Sequence, residues 1–244
     1  GTVLISHLLS LPGGSITSIR VLDRFSWGTQ PMASLLTSDE RRLEMRSGDV
    51  RNASTLASAL MGINAVIHLA GIVGYPACDA DPHDADTTNV GATHLLCLEA
   101  ARRSLPIVFA STGSCYGKVD GLATEQTPIA PLTRYGRNKA EAEGLILEVH
   151  GICLRLATLY GISPRMRWDL LPHDFARIAV RDGSLRVYEG KARRTFLHLE
   201  DAATAFAHAL KLCLPSGIYN VGDDQQNFTK GEVANLVSAE TGCQ

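Results

Sequence analysis

The chain has 244 residues, of which 45% are apolar and 20% are charged, and its formal net charge is −2. This composition is typical of a globular protein with enough apolar material for a core. The charge balance and the scattered Lys and Arg residues argue against a nucleic-acid partner, and no apolar run approaches the roughly 20 residues of a membrane span. The six cysteines show no CxxC pair and no regular spacing, so we expect a reducing, cytoplasmic compartment and no metal site.

Short apolar runs alternate with helical patterns through the first two thirds of the chain. Apolar strands separated by helices indicate a parallel sheet that is covered on both faces. Right-handed crossovers then give a doubly wound α/β fold of the Rossmann type. The predicted elements are a helix in GTVLISHLLSL, a strand at 18–23, a helix at 53–61, a strand at 65–70, a helix at 88–103, a strand at 105–111, a helix from Tyr135 and a strand at 152–161.

The pattern loosens after residue 161, where the elements are shorter and Arg, Pro and Trp are more frequent. A strand, a helix and a second strand then follow, and we expect them to return to the sheet. The predicted dinucleotide-binding domain is therefore 1–160 with 195–222, and the predicted substrate-binding region is 161–194 with 223–244. Because the chain opens on a helix without a glycine-rich loop, we also expect that the first strand of the fold is missing from it.

The end of the strand at 18–23 is the expected site of an adenosine ribose. Ligands bind at the carboxyl ends of parallel strands, and an acidic residue there, Asp23, accepts hydrogen bonds from a ribose and repels a 2′-phosphate. This pattern favours NAD, but an ordinary turn Asp explains it equally well, and Arg24 would suit a 2′-phosphate. Asp49, in SGDV, falls where the adenine ring is expected. Gly1 occupies the place of the last glycine of a phosphate-binding loop.

The stretch RYGRNKAEAE puts Tyr135 and Lys139 one helical turn apart on the same face. Any solvated helix could do the same, so the pair alone does not define a site. The preceding strand runs into STGSCYG, and one crossover brings Thr112 to the same edge of the sheet. A Tyr with a pKa of ~10 becomes a useful base when a nearby Lys stabilises the phenolate, and a Thr hydroxyl completes a proton relay. The three residues provide what hydride transfer to or from an alcohol requires.

The ordered motifs LDRF, SGDV, HLAG, TNVGAT, STGSCYG, YGRNK, LRLATLYG, RRTFLHLED and IYNVG resemble the extended branch of the short-chain dehydrogenase/reductase family. That branch contains nucleotide-sugar epimerases, dehydratases and reductases. The resemblance implies NAD as cofactor, a nucleotide-sugar substrate and a homodimer formed through the helices that begin near Asn89 and Tyr135. The apolar residues Leu95, Leu96 and Leu98 fit such an interface, and they would equally fit contact with the sheet.

The same resemblance implies roles for individual residues. Tyr135 is the catalytic base or acid, Lys139 positions it and contacts the nicotinamide ribose, and Thr112 binds the substrate hydroxyl. Arg194 matches an Arg that contacts the phosphates of the substrate, and its plainer explanation is an Arg that caps a neighbouring strand. The residues expected to hold the cofactor are Gly1, Asp23, Asp49, Val50, Leu69, Ala70, Tyr135 and Lys139.

Departures from the family's motifs restrict the reaction. Members that dehydrate carry an Asp-Glu pair directly after the Ser or Thr, whereas Gly113 and Ser114 favour a 4-epimerase or a reductase. Thr158 replaces an Asn that touches the substrate phosphates in many members, which weakens the sugar-nucleotide assignment. Arg165 and Arg167 lie near the expected cleft, where either would meet a phosphate or carboxylate or simply face solvent. The residues expected to contact substrate are Ser114, Thr158, Arg165 and Arg194.

The sequence therefore predicts an NAD-dependent epimerase that acts on a nucleotide-activated sugar through a transient keto intermediate. An NAD(P)-dependent sugar-nucleotide reductase or dehydrogenase that exchanges its cofactor would use the same residues and stays open. A non-catalytic dinucleotide-binding regulator on the same fold is the third alternative. Replacement of Tyr135 by Phe separates this regulator from both enzymes, because only an enzyme should lose turnover.

Overall fold

A computed structural model describes residues 1–12, 16–36, 41–212 and 214–243 of the chain. Cys213, one of the six cysteines considered above, lies outside these residues. Parallel strands alternate with helices along the chain, so the predicted α/β class is confirmed.

The strands of the described residues form three sheets. In chain order they are β1 Ile19–Asp23, β2 Leu43–Ser47, β3 Val66–His68, β4 Ile107–Thr112, β5 Ile152–Leu156, β6 Thr158–Tyr160, β7 Arg193–His198, β8 Gly217–Val221 and β9 Asn227–Thr229. The main sheet has the order β3-β4-β5-β8, with every pair parallel. β1 and β2 form a separate parallel pair, and β2 was not predicted from the sequence.

The helices cover both faces of the main sheet. In chain order they are α1 Thr2–Ser10, α2 Ala33–Leu36, α3 Ala53–Ala59, α4 Tyr75–Ala80, α5 Pro82–Asp86, α6 Ala92–Arg103, α7 Arg134–Glu148, α8 Leu171–Asp182, α9 Leu199–Lys211 and α10 Lys230–Thr241. α1 and α9 pack on one face through Leu4, Leu8 and Phe206. α6 and α7 pack on the other face through Leu96 and Ile146. Among the described helices, none has the length and apolar character that a membrane crossing needs.

A second, smaller sheet carries the C-terminal part of the chain. β6 pairs with β7 in parallel, and β7 pairs with β9 in the antiparallel sense. The strand predicted at 152–161 is therefore two strands in different sheets, because the chain leaves the main sheet at Ala157, whose N–H donates to Val221 O at 2.9 Å. α8 and α10 cover the small sheet through Phe175, Phe196 and Val233. β8 lies in the main sheet and β7 in the small one, and the division into two domains stays a prediction.

Candidate active site

The end of β4 and the start of α7 bring the predicted catalytic residues together. β4 ends at Thr112. α7 begins directly after Thr133, whose side chain caps it by accepting a hydrogen bond from Gly136 N at 3.1 Å. Tyr135 and Lys139 then lie on successive turns of one helix face. Thr112 lies close enough to Tyr135 for its side chain to lower the pKa of Tyr135 through hydrogen bonding, so the two residues meet at one edge of the sheet, as one crossover connection predicts.

Tyr135 is half-buried beside two other hydroxyl groups. Burial raises the pKa of Tyr135 to about 12, while the hydrogen bond with Thr112 and the positive charge of Arg167 act in the opposite direction. Thr112 Oγ1 also donates to Ser114 Oγ at 3.3 Å. The neutral tyrosine is therefore the resting form at neutral pH, and the Thr112 hydroxyl is placed to bind the same substrate oxygen.

Lys139 is 3% exposed and is held against β4. Its Nζ donates to Ala110 O at 2.8 Å and lies 4.4 Å from the centre of the Phe109 ring. Burial lowers the pKa of Lys139 to about 8. The bond to Ala110 uses one of three N–H donors, so the ammonium retains donors for ribose hydroxyls. The positive charge of Arg167 lowers the pKa of Tyr135, and stabilisation of the Tyr135 phenolate by Lys139 stays a prediction.

A buried ion pair fixes β4, β5 and α7 to one another behind the catalytic residues. Arg155 on β5 binds Glu143 on α7 through hydrogen bonds of 2.8 and 2.6 Å, and both side chains are 3% exposed. Ser111 on β4 donates to the same carboxylate. The Arg155 guanidinium also lies 4.6 Å from the centre of the Tyr116 ring. The residue before Thr112 is thereby joined to the helix that carries Tyr135 and Lys139.

The turn after β3 packs against the side chain of Asn89. Leu69 and Ala70, both half-buried, lead into Gly71, where an added Cβ would lie 2.8 Å from Asn89 Oδ1. The Asn89 side chain holds this turn in place by accepting from Ile72 N at 2.7 Å and donating to Ile72 O at 2.9 Å. Asn89 therefore occupies the space that a side chain at residue 71 would need, and contact of Leu69 and Ala70 with the dinucleotide stays a prediction.

His68 is a buried titratable residue directly behind this turn. Its ring stacks on Phe109 with 5.5 Å between centroids, and its Nε2 lies 3.0 Å from Thr93 Oγ1. Because the Thr93 hydroxyl donates to Asn89 O at 2.7 Å, His68 is the donor to Thr93. Burial, followed by the charge of Lys139, lowers the pKa of His68 to about 3, so the ring is neutral under physiological conditions.

The expected adenosine end lies where β1 and β2 finish. Asp23 is exposed, and the bond from Phe25 N to its Oδ1, at 2.7 Å, occupies one of its two carboxylate oxygens. Arg24, which would have suited a 2′-phosphate, forms ion pairs of 3.7 Å with Asp49 and 3.8 Å with Asp84. These ion pairs engage the Arg24 cation that would have suited NADP, and selection of the cofactor by Asp23 stays a prediction.

The carboxylate of Asp49 is bound by Arg51 through contacts between 2.6 and 3.1 Å. These hydrogen bonds lower the pKa of Asp49 to about 2. Val50 is half-buried in the turn between the two residues. Gly1 precedes α1, and its carbonyl accepts a hydrogen bond from Ile5 N at 2.9 Å. Contacts of Asp49 and Val50 with adenine, and of Gly1 with phosphate, stay predictions.

Three of the residues predicted to contact substrate lie on different elements. Ser114 is exposed and adjoins the Thr112 hydroxyl. Thr158 is half-buried at the start of β6. Arg194 is exposed on β7, and its Nη1 donates to Arg193 O at 2.8 Å. The structure therefore brings Ser114 to the catalytic hydroxyls, while substrate contact by all three stays a prediction.

The segment between β6 and α8 carries the other two arginines. The Arg165 guanidinium lies 3.8 Å from the centre of the Trp27 ring, in the loop after β1. Arg167 forms a two-pronged ion pair with Asp169, at 2.8 and 2.6 Å. A hydrogen bond of 2.9 Å joins His173 Nδ1 to Arg167 O and fixes the backbone of the segment to α8. Substrate contact by Arg165 stays a prediction, and the structure places this residue against the cofactor side of the cleft.

Comparison with known proteins identifies the family of the chain. The model of the NAD dependent epimerase/dehydratase family matches residues 1–222. The chain is 32% identical over 165 residues to YtcB of Bacillus subtilis (strain 168), named an uncharacterized UDP-glucose epimerase, covering 64% of this chain and 51% of that protein. It is 27% identical over 240 residues to the dTDP-glucose 4,6-dehydratase of Streptomyces niveus, covering 95% and 69%. The chain thus spans about half and about two thirds of the lengths of these relatives.

A solved structure supports the fold. The DesIV dTDP-glucose 4,6-dehydratase of Streptomyces venezuelae, crystallised with NAD and TYD, superposes with a TM-score of 0.88 at 23% identity and covers 100% of this chain and 78% of its own. The chain belongs to the NAD dependent epimerase/dehydratase family. The predictions of an enzyme of the extended short-chain dehydrogenase/reductase type and of NAD as its cofactor are thereby confirmed. Asp23 and Lys139 are the residues of this chain that we expect to hold the two ends of the cofactor.

Proposed function

We propose that the protein is an NAD-dependent epimerase that acts on a nucleotide-activated sugar through a transient keto intermediate. The observation that carries the proposal is the arrangement of Thr112, Tyr135 and Lys139 at one sheet edge, with Gly113 and Ser114 directly after Thr112. The names of the two relatives, a UDP-glucose epimerase and a dTDP-glucose dehydratase, support the substrate class.

The residues have distinct tasks in such a reaction. Bound NAD supplies a hydride acceptor that later gives the hydride back. Tyr135, once ionised, takes the proton of a ring hydroxyl as the hydride leaves the same carbon, and it returns the proton when the hydride comes back to the other face of the sugar. Thr112 holds the reacting oxygen, and Lys139 holds the ribose of the cofactor. No atoms are gained or lost, so the product has the mass of the substrate.

The residues next to Thr112 favour epimerisation over dehydration. Elimination of water needs an acid that protonates the leaving hydroxyl. Gly113 has no side chain, and the Ser114 hydroxyl is hydrogen-bonded to Thr112, so this segment offers no carboxyl group. A reductase would need the same catalytic residues, and the engaged Arg24 disfavours the NADPH that such an enzyme commonly uses.

We also infer that the protein forms a homodimer and works in the cytoplasm. Leu98 of α6 is 45% exposed, whereas Leu96 faces the sheet, so α6 retains an apolar outer surface. The described cysteines are free thiols, which suits a reducing compartment. Size-exclusion chromatography with light scattering tests the dimer, and a Leu98→Glu variant should be monomeric if α6 forms the interface.

The test of the reaction uses the complete protein with NAD and a panel of UDP-, dTDP- and GDP-sugars. Products are separated by chromatography and detected by mass. We expect a new peak of unchanged mass with one of these substrates, and none with the Tyr135→Phe variant. Tyr219→Phe on β8, which removes a hydroxyl that donates to Pro215 O, is the matched control and should behave as the parent protein.

Other outcomes would replace the proposal. A change of about two mass units with an equal change in NADH absorbance means a reductase or dehydrogenase. Loss of water means a dehydratase and shows that Gly113 and Ser114 were misread. No product from any sugar, with NAD binding intact, contradicts the assigned substrate class.

A further inference from the structure

The segment 162–170, between β6 and α8, lies beside both ends of the expected cofactor path. Arg165 is within electrostatic range of Asp23, where the adenosine ribose is expected. Arg167 is within electrostatic range of Tyr135, where the nicotinamide must react. Only Met166 separates Arg165, near one end of the expected cofactor path, from Arg167, near the other. A dinucleotide that runs from Asp23 to Tyr135 therefore passes along this segment.

One contact joins this segment to the loop that follows β1. The Arg165 guanidinium lies 3.8 Å from the centre of the Trp27 ring. Trp27 stands four residues after Asp23 in the loop that follows β1, while Arg165 follows β6 of the small sheet. Trp27 is nevertheless 71% exposed, so the contact covers only part of its ring. Trp27 is exposed and lies outside the cores, and Arg165 reaches it from a distant segment. We therefore interpret their contact as a link between two sides of the expected cofactor path and not as core packing.

We propose that Arg165 and Trp27 form a clasp across the bound dinucleotide that slows the release of NAD. A cation that stacks on an indole is attracted more strongly when water is removed from the pair. A dinucleotide lying against Trp27 removes that water, so the clasp is strengthened by the ligand it covers. The guanidinium also brings positive charge towards the pyrophosphate. Release of the cofactor then requires the stack to open.

The test measures cofactor release and needs no sugar nucleotide, so it is independent of the proposed reaction. The chain has two tryptophans, and a Trp168→Leu background leaves Trp27 as the only one. In this background, Trp27→Leu, Arg165→Met and the double variant are loaded with NADH. Excess NAD then displaces the NADH, and the loss of NADH fluorescence gives the dissociation rate constant.

We expect each single variant to release NADH about 3- to 30-fold faster, which is the range that a stacked cation supplies. The double variant should be no faster than the faster single variant, since both remove one interaction. Trp27→Phe keeps an aromatic face and should release NADH at an intermediate rate. Arg177→Met, which removes an exposed guanidinium paired with Asp174 on α8, is the matched control and should leave the rate unchanged.

Three results would overturn the clasp. The first is an unchanged rate in both single variants while thermal unfolding shows that they are folded. The second is a double variant whose effect is the product of the single effects, because the two residues would then act independently. The third is a parent protein that binds no NADH, which also rejects the cofactor path itself.

Discussion

The two walls of the cleft are built in opposite ways. The catalytic wall consists of β4, β5 and α7. On this wall Lys139 is buried, and so is the Glu143–Arg155 ion pair behind it. On the other wall, the segment 162–170 belongs to no sheet, and the Arg167–Asp169 ion pair is partly open to solvent, with the Asp169 side chain 64% exposed. The first wall holds its groups by packing, and the second holds them by exposed side-chain pairs.

This difference matches the demands on each wall. Proton transfer depends on the distance between hydroxyl groups, so Thr112 and Tyr135 belong on elements that do not move relative to each other. A cofactor and a substrate must enter and leave, so the side chains that cover them belong on a segment whose contacts open at low cost. Changes on the catalytic wall should therefore reduce the rate or the stability strongly, and changes on the opposite wall should alter binding and pH dependence by smaller factors.

The largest effect is expected for Tyr135→Phe. The variant keeps the ring and loses the group that exchanges the proton, so turnover should fall by about 10²- to 10⁴-fold. NADH affinity should stay close to that of the parent protein, because the ring still fills its place. Steady-state assays with the identified sugar and NADH titration measure the two quantities. A variant with more than a tenth of parental turnover would show that another group moves the proton.

Removal of one partner of the buried ion pair should cost the most stability. Arg155→Met leaves the Glu143 carboxylate buried without its cation, and we expect a loss of about 3–5 kcal/mol in the free energy of unfolding. The double variant Arg155→Met/Glu143→Leu should recover most of this loss, because no charge stays buried. Urea denaturation measures both. Arg102→Met breaks a surface ion pair with Glu99 on α6 and should cost only a few tenths of a kcal/mol. If Arg102→Met and Arg155→Met cost the same, the buried pair is not what stabilises the catalytic wall.

His68 should make the catalytic wall sensitive to acid. Its pKa is about 3 in the folded protein and about 6.5 when unfolded, so the unfolded chain binds a proton that the folded chain does not hold between these values. Stability should thus be constant with respect to this residue above pH 6.5 and fall by about 1.4 kcal/mol per pH unit below it. In His68→Phe the slope of the free energy of unfolding against pH should be smaller by the contribution of one proton, about 1.4 kcal/mol per pH unit. Asp49, with a folded pKa of about 2, adds its own loss only below about pH 4. Denaturation curves at several pH values measure the slope, and an identical slope in His68→Phe would refute the assignment.

The catalytic wall is also the part that the sequence predicted best. Apolar runs and the spacing of Thr112, Tyr135 and Lys139 follow from local periodicity, which a single sequence records. An Arg within the apolar run ICLRL was a visible signal for the buried pair with Glu143, since a charge in a covered strand needs a partner. The break at Ala157 left no such signal, because ICLRLATLY contains no Gly or Pro and the exchange of sheets depends on pairing with distant strands.

The opposite wall depends on the path of a loop, which a single sequence does not record. Arg165 and Arg167 were placed near the cleft, but their spacing did not show that one meets Trp27 and the other acts on Tyr135. Lys139 was expected to stabilise the phenolate, because it lies one turn from Tyr135. Its burial and its bond to Ala110 O redirect the ammonium, and only the folded structure shows this.

The smallest expected effect is that of Arg167→Gln. The Arg167 charge lowers the pKa of Tyr135, so its removal should move the pH at which turnover rises to a higher value. Each unit of increase reduces the phenolate fraction about tenfold, and we expect turnover at neutral pH to fall about three- to tenfold while the KM for the sugar changes less. Arg167→Lys keeps the charge and should restore most of the profile. Arg165→Met at saturating NAD is the matched control on the same segment, and its pH midpoint should not shift. If Arg167→Gln lowers turnover equally at every pH, Arg167 contributes through structure, and Lys139 with the cofactor alone sets the ionisation of Tyr135.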